Sequence, residues 1–88
     1  MAFMYILYSG KLDKYYVGAC SDLDRRLYEH NIGHSKFTSL GIPWVVMYKE
    51  EYPDLNIAKN REAEIKKKKS RKYIEELIRS STGSASRS

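Results

Sequence analysis

Arg26 and His30 follow Leu23 by three and seven residues, and Leu27 falls between them. Helical spacing puts all four on one broad face. A guanidinium and an imidazole then stand one turn apart at the edge of a core. Glu62 follows Ala58 by four residues and precedes Ile65 by three, so a carboxylate shares an apolar face too. An unpaired buried carboxylate is costly, which demands a cation or a metal beside it. Tyr5, Tyr8, Tyr15 and Tyr16 crowd two strand-like segments, and a buried phenol wants a polar partner. Gly18 removes a side chain within the second segment, which suggests close approach by a ligand or another backbone.

This set of groups suits phosphodiester hydrolysis. A hard cation such as Mg²⁺ keeps several waters, so one carboxylate can hold it. It would polarise the phosphate and stabilise the leaving oxygen. An arginine offsets charge that grows in the transition state. A tyrosine takes a proton from water if nearby cations lower its pKa. Each residue also has a plainer reading. Arg26 can lay its stem along the core and keep its head wet. A lone His30 is more often structural, and Glu62 can simply pair with Arg26. Aromatic residues are common in strands.

The elements that must position these groups are short. The chain has 88 residues, with 42% hydrophobic and 12% aromatic content, which is richer than a disordered chain. That is one domain near the lower limit of independent folding. Residues 3–8 read as a buried strand and 15–20 as its hairpin partner, joined by a polar turn. Ser21 is the expected cap of a helix over 22–31, with Asp24 three residues on. Residues 33–43 read as a loop, 44–48 as a third strand, and Pro53-Asp54 opens a helix to about residue 69. Ser70 caps a last helix over about 71–79. The expected class is α+β: a three-stranded, mainly antiparallel sheet flanked by helices, in the order β-β-α-β-α-α. The domain covers 1–79, and the Ser- and Gly-rich residues 80–88 read as a disordered tail.

Charge is uneven. Residues 1–56 hold six Lys/Arg against seven Asp/Glu, whereas 57–88 hold ten against four. Lys66, Lys67, Lys68, Lys69, Arg71 and Lys72 are the densest part. A solvated helix face is one reading; a phosphate-binding stripe that gains by counterion release is the other. One cysteine, Cys20, excludes an internal disulfide and a multi-cysteine zinc site. No apolar run approaches the roughly 20 residues of a membrane span, and no signal peptide shows. A cytoplasmic protein without membrane contact is the expectation.

The ordered set Met4-Tyr5-Ile6, Tyr16-Val17-Gly18, Asp22-Leu23-Asp24-Arg25-Arg26-Leu27, His30-Asn31 and Gly33 resembles the GIY-YIG nuclease family. Ala58-Lys59-Asn60-Arg61-Glu62, followed by Ile65-Lys66-Lys67, is similar to the family's glutamate helix. The match covers roughly residues 2–78. It is most similar to small single-domain bacterial members, related to the N-terminal incision domain of the repair protein UvrC. The resemblance implies a DNA endonuclease dependent on Mg²⁺ or Mn²⁺, with a place in repair or recombination. It implies that one or both of Tyr5 and Tyr16 act on the attacking water, with Tyr16 the choice for general base. Gly18 would leave the strand open beside the site. Arg26 would stabilise the phosphate, His30 would bind phosphate or assist proton transfer, and Glu62 would hold the metal. The first motif reads Phe-Met-Tyr instead of Gly-Ile-Tyr, and Ala19 stands where some members carry lysine.

Nothing after the nuclease-like core resembles a zinc finger or helix-turn-helix, so structure selectivity or a protein partner would supply target choice. Lys36, Thr38 and the 66–72 cluster are candidates for backbone contacts, which give affinity without sequence reading. Besides the endonuclease, two readings stay open. One is a nucleic-acid-binding module with little activity of its own; the other is a protein-interaction domain.

Overall fold

In the computed structural model, residues 1–33 and 36–87 are described, with side chains except those of residue 37 and residues 81–87. The chain runs β1 (Ala2–Ser9), β2 (Lys14–Cys20), α1 (Leu23–Asn31), α2 (Lys36–Leu40), β3 (Trp44–Tyr52), α3 (Leu55–Lys68) and α4 (Arg71–Arg87). Apart from the short α2, which replaces part of the expected loop, this is the β-β-α-β-α-α order. The tail expected over 80–88 lies, beyond Ser80, outside the described side chains.

The sheet has the order β2-β1-β3, with both pairings antiparallel. β1 is therefore central, and its nearly continuous apolar run follows from cover on both faces. Met4 and Ile6 point to one face, where they pack with Val17 and with Ile65 of α3; Tyr73, Ile74 and Leu77 of α4 close over them. Tyr5 and Leu7 point to the other, with Cys20, Trp44 and the Leu23 and Leu27 stripe of α1. Each side chain of this size contributes about 1.5–3 kcal/mol when fully buried.

β3 serves both faces because its register shifts opposite Ile6 and Leu7: Ile6 pairs with Tyr48, and Leu7 with Val46. The skipped residue, Met47, turns Val46 toward α1 and leaves Tyr48 under α4.

Local chemistry sets the helix starts. Asp22, not Ser21, caps α1: its carboxylate accepts from Arg25 N at 3.1 Å. Its charge makes it the better partner for the first-turn N–H groups. Asp54 caps α3, accepting from Ile57 N at 3.0 Å, and Ser70 caps α4, accepting from Tyr73 N at 3.1 Å. Lys69 closes α3 in the left-handed region (φ 49°), which turns the chain sharply into α4. Arg71 then ties α4 to the β1–β2 turn through two hydrogen bonds to Asp13, one to its carbonyl at 2.8 Å and one to its carboxylate at 2.7 Å.

Candidate active site

Tyr5 and Gly18 face each other across β1 and β2. An added Cβ at Gly18 would lie 2.5 Å from the Tyr5 hydroxyl oxygen and 2.6 Å from its Cζ. The close approach read from the lone strand glycine is therefore made by the Tyr5 ring, and neither a ligand nor a second backbone is needed to explain it. Tyr16, two residues earlier on the same side of β2, stacks on Tyr5 with ring centroids 6.4 Å apart and planes 22° apart.

His30, in the last turn of α1, completes this cluster. It meets Tyr16 edge-on at 4.7 Å and Tyr5 at 6.4 Å, and is 5% exposed. Its Nδ1 lies 2.9 Å from the Arg26 carbonyl. A carbonyl only accepts, so Nδ1 is the donor there and carries a proton. Among the described residues, Nε2 is buried and has no hydrogen-bond partner.

Asn31 and Trp44 hold the ring, and neither was expected to. The Asn31 amide donates to the Trp44 carbonyl at 3.1 Å and accepts from the Trp44 N–H at 2.7 Å, joining the end of α1 to the start of β3. The Trp44 indole meets His30 edge-on at 6.2 Å and donates to the Thr38 carbonyl at 2.8 Å. Asn31 had a signal, since it follows His30 directly within the motif set. Trp44, far along the chain, had none.

Arg26 and Glu62 reach the cluster from different layers. The Arg26 side chain is 46% exposed and lies 3.8 Å from Glu29. It lines a polar recess of about 320 Å³ with Cys20, Ser21 and Arg25. Glu62 projects from α3, which packs on β2 and β1. Its carboxylate accepts from the Lys66 ammonium at 2.6 Å, one turn on. The cation that spacing demands is thus Lys66, and Arg26 pairs with Glu29 instead of Glu62.

One phenol senses all these groups. Burial pushes the Tyr5 hydroxyl well above the usual tyrosine value; Tyr16, Cys20 and Glu62 push the same way, and Arg26 opposes them. Tyr5 therefore stays a neutral donor, and a phenolate is disfavoured there.

Glu62 fits a hard cation. It offers carboxylate oxygens, is 22% exposed, and already draws an ammonium. No group of three or more His, Cys, Asp or Glu among the described residues makes a metal cage. One carboxylate with water completing the shell is the Mg²⁺ or Mn²⁺ mode of binding.

The expected phosphate contacts divide. Thr38 is 5% exposed, so it does not stand on the surface expected for it. Lys36 is exposed on α2. Lys66 is committed to Glu62, and Arg71 to Asp13 and Glu75. Lys68 lies over the Tyr73 ring at 5.4 Å. Lys67, Lys69 and Lys72 are exposed. Three of these lysines fill the last turn of α3, where positive charge also favours the helix itself.

A family model described as the GIY-YIG catalytic domain matches residues 1–74. A UPF0213 protein of Streptococcus sanguinis (strain SK36) is 37% identical over 68 residues, covering 76% of this chain and 77% of that protein. No solved structure matches the chain. No described helix is long and apolar enough to cross a membrane. The matched span takes in both motif tyrosines, Gly18, Arg26, His30 and Glu62, and the chain belongs to the GIY-YIG nuclease family.

Proposed function

We propose that the protein is a metal-dependent endonuclease that hydrolyses DNA phosphodiester bonds and chooses its target by DNA structure, in repair or recombination. The observation that carries this reading is the packing of Tyr5, Tyr16 and His30, from three separate elements, into one ring cluster over Gly18. A core tyrosine has no need of such company.

The roles are those the family resemblance implies, weighed against the surroundings of each residue. Tyr16 is the general base, since Tyr5 is too deeply buried to ionise. Tyr5 donates a hydrogen bond and holds the Gly18 side of the site. His30 assists proton transfer through Nε2 within the ring cluster. The exposed Arg26 meets the phosphate and offsets charge in the transition state. Glu62 holds the cation, which when bound polarises the phosphate and stabilises the leaving oxygen. Lys36 and the cluster from Lys66 to Lys72 hold the DNA backbone, and the protein works in the cytoplasm.

A second reading has an observation of its own. Lys66 sits on the metal-binding carboxylate, which suits a nucleic-acid-binding module that cuts only once a partner or the substrate draws Lys66 away.

The deciding experiment is cleavage of labelled duplex, single-stranded, flap and four-way-junction DNA with Mg²⁺, Mn²⁺ or EDTA, beside Glu62→Ala. Metal-dependent cutting that is lost in the variant, with binding kept, supports the endonuclease. Salt-sensitive binding without cutting of any substrate supports the second reading. Arg26→Ala is expected to depress turnover more than binding, and cutting at the wild-type rate by both variants would overturn the site assignment.

A further inference from the structure

β2 is an edge strand, paired only through β1. Against its free side lie the last turn of α3 and the first turn of α4, and between them is a groove of about 540 Å³. That falls within the roughly 300–1,000 Å³ of clefts that take small molecules. Val17, Ile65 and Ile74 make an apolar floor beside Tyr15, whose ring carries the Arg71 guanidinium 5.1 Å from its centroid and packs on Tyr8 at 5.0 Å, while Lys14, Lys66, Lys69 and Arg71 make the rim. No acidic residue lines it. Among the described residues no acid pairs with the Lys14 or Lys69 ammonium, although Lys66 and Arg71 are engaged by Glu62, Asp13 and Glu75.

We propose that this groove receives one unpaired nucleotide of the DNA strand, its base on Ile65, Ile74 and the Arg71 guanidinium that lies over the Tyr15 ring, and its flanking phosphates on Lys14 and Lys69. Three features argue for that occupant. An apolar floor with an aromatic ring inside a basic rim is how proteins hold single-stranded nucleic acid. An extended peptide could also use the free β2 edge, but it would need acidic residues for this rim and would gain little from the ring. The unpaired edge of β2 supplies backbone donors and acceptors, which suit the hydrogen-bonding edge of a base that has lost its partner. A paired base inside a duplex offers neither an exposed face for the floor nor a free Watson–Crick edge for the strand.

The groove also adjoins the site. Tyr16 lines it and belongs to the ring cluster. Lys66 lines it and holds Glu62. A nucleotide seated there brings a neighbouring phosphate to the candidate active site, and its own phosphate draws Lys66 off Glu62. The inference rests on the endonuclease reading and names its substrate: DNA with an unpaired nucleotide beside the bond to be cut.

The test is a binding measurement in EDTA, where cutting plays no part. The probe is a duplex with a single-nucleotide bulge whose unpaired base is 2-aminopurine, compared with the same duplex fully paired. The bulged duplex is expected to bind about tenfold more tightly, with quenched fluorescence, since the unpaired base gains a stacking contact that the paired one does not. Lys14→Glu with Lys69→Glu, both at exposed positions, is expected to remove most of that preference and the quenching. Lys67→Glu, outside the groove, is expected to weaken both complexes equally. Equal affinity for the two duplexes, or a preference unchanged in the double variant, overturns the proposal. Cutting of a paired duplex in Mg²⁺ would uphold the endonuclease even then, whereas bulge preference without cutting of any DNA would uphold the groove alone.

Discussion

Gly18→Ala tests whether the Tyr5 ring is fixed where the fold places it. The new methyl group would stand 2.5 Å from the Tyr5 hydroxyl oxygen, 2.6 Å from Cζ and 3.2 Å from Cε1 of Tyr16. Real Cβ atoms do not come so close, so a ring must move. Tyr5 is 2% exposed and packed with Leu7, Cys20 and Trp44, which leaves it little room. Overpacking of this kind costs about 1–3 kcal/mol. Against it stands the gain from replacing a strand glycine, about 0.5–1 kcal/mol. At mid-range the net is a loss of about 1 kcal/mol, or a fall in Tm of about 4–8 °C for a domain of this size. Thermal unfolding followed by circular dichroism reads it directly. Tyr5→Leu combined with Gly18→Ala should recover part of the loss that the two single changes would sum to, because the smaller side chain admits the methyl. An unchanged or raised Tm in Gly18→Ala would refute the packing of Tyr5 over Gly18. Additive losses in the double variant would refute it as well.

Arg61 holds Glu50 through two hydrogen bonds, at 2.9 and 3.2 Å, and Arg61→Met should cost about 1.5–3 kcal/mol by leaving a mostly buried carboxylate short of its cation, checked by urea unfolding. Burial pushes the Glu50 carboxyl up, but the bonds from Arg61, Tyr48 and Tyr52 outweigh it and hold it below the ordinary glutamate value. Its share of stability is therefore complete above the unfolded value of about 4.3 and is lost as pH falls through the lower folded value. The Tm gap between wild type and Glu50→Gln should thus shrink below about pH 4, and a constant gap would refute the assignment. Asn31→Ala breaks both bonds to the Trp44 backbone and should lower stability by about 1–3 kcal/mol in the same unfolding assay. Lys66→Met frees the Glu62 carboxylate and should tighten Mn²⁺ binding by about 1.5- to 5-fold in calorimetry, the worth of a half-exposed ion pair.

The hairpin, the third strand and the starts of α3 and α4 were legible because each rests on local signals, whereas at α1 two adjacent cap residues, Ser21 and Asp22, competed. Apolar runs end at polar turns, and Asp54 and Ser70 stand where a cap is needed. Glu62 was legible as a carboxylate in want of a cation, but not the identity of that cation, since Arg26 and Lys66 satisfy the same demand and only the placement of α3 decides between them. The shift at Met47 was hidden because strand alternation assumes an unbroken register. The roles of Trp44 and of the Tyr5 ring over Gly18 were hidden for a related reason. Both are contacts across the sheet, made by residues whose types suit many other neighbours.

Lys66 joins the two halves of the site. With no DNA bound, its ammonium donates to the Glu62 carboxylate at 2.6 Å. The pair is half exposed on the lysine side, so its worth is modest, about 0.2–1 kcal/mol, and a phosphate can take the ammonium at little cost. Once it does, Glu62 regains its full charge toward a divalent cation. The resulting coupling has a definite sign: DNA in the groove should raise metal affinity, and by linkage metal should raise DNA affinity. In Lys66→Met that reciprocal gain should disappear while both partners still bind. Mn²⁺ titrations with and without an uncleavable phosphorothioate bulged duplex would show it. A gain of the same size in wild type and variant would mean that Lys66 is only a helix-surface ion pair, and that the groove and the carboxylate act independently.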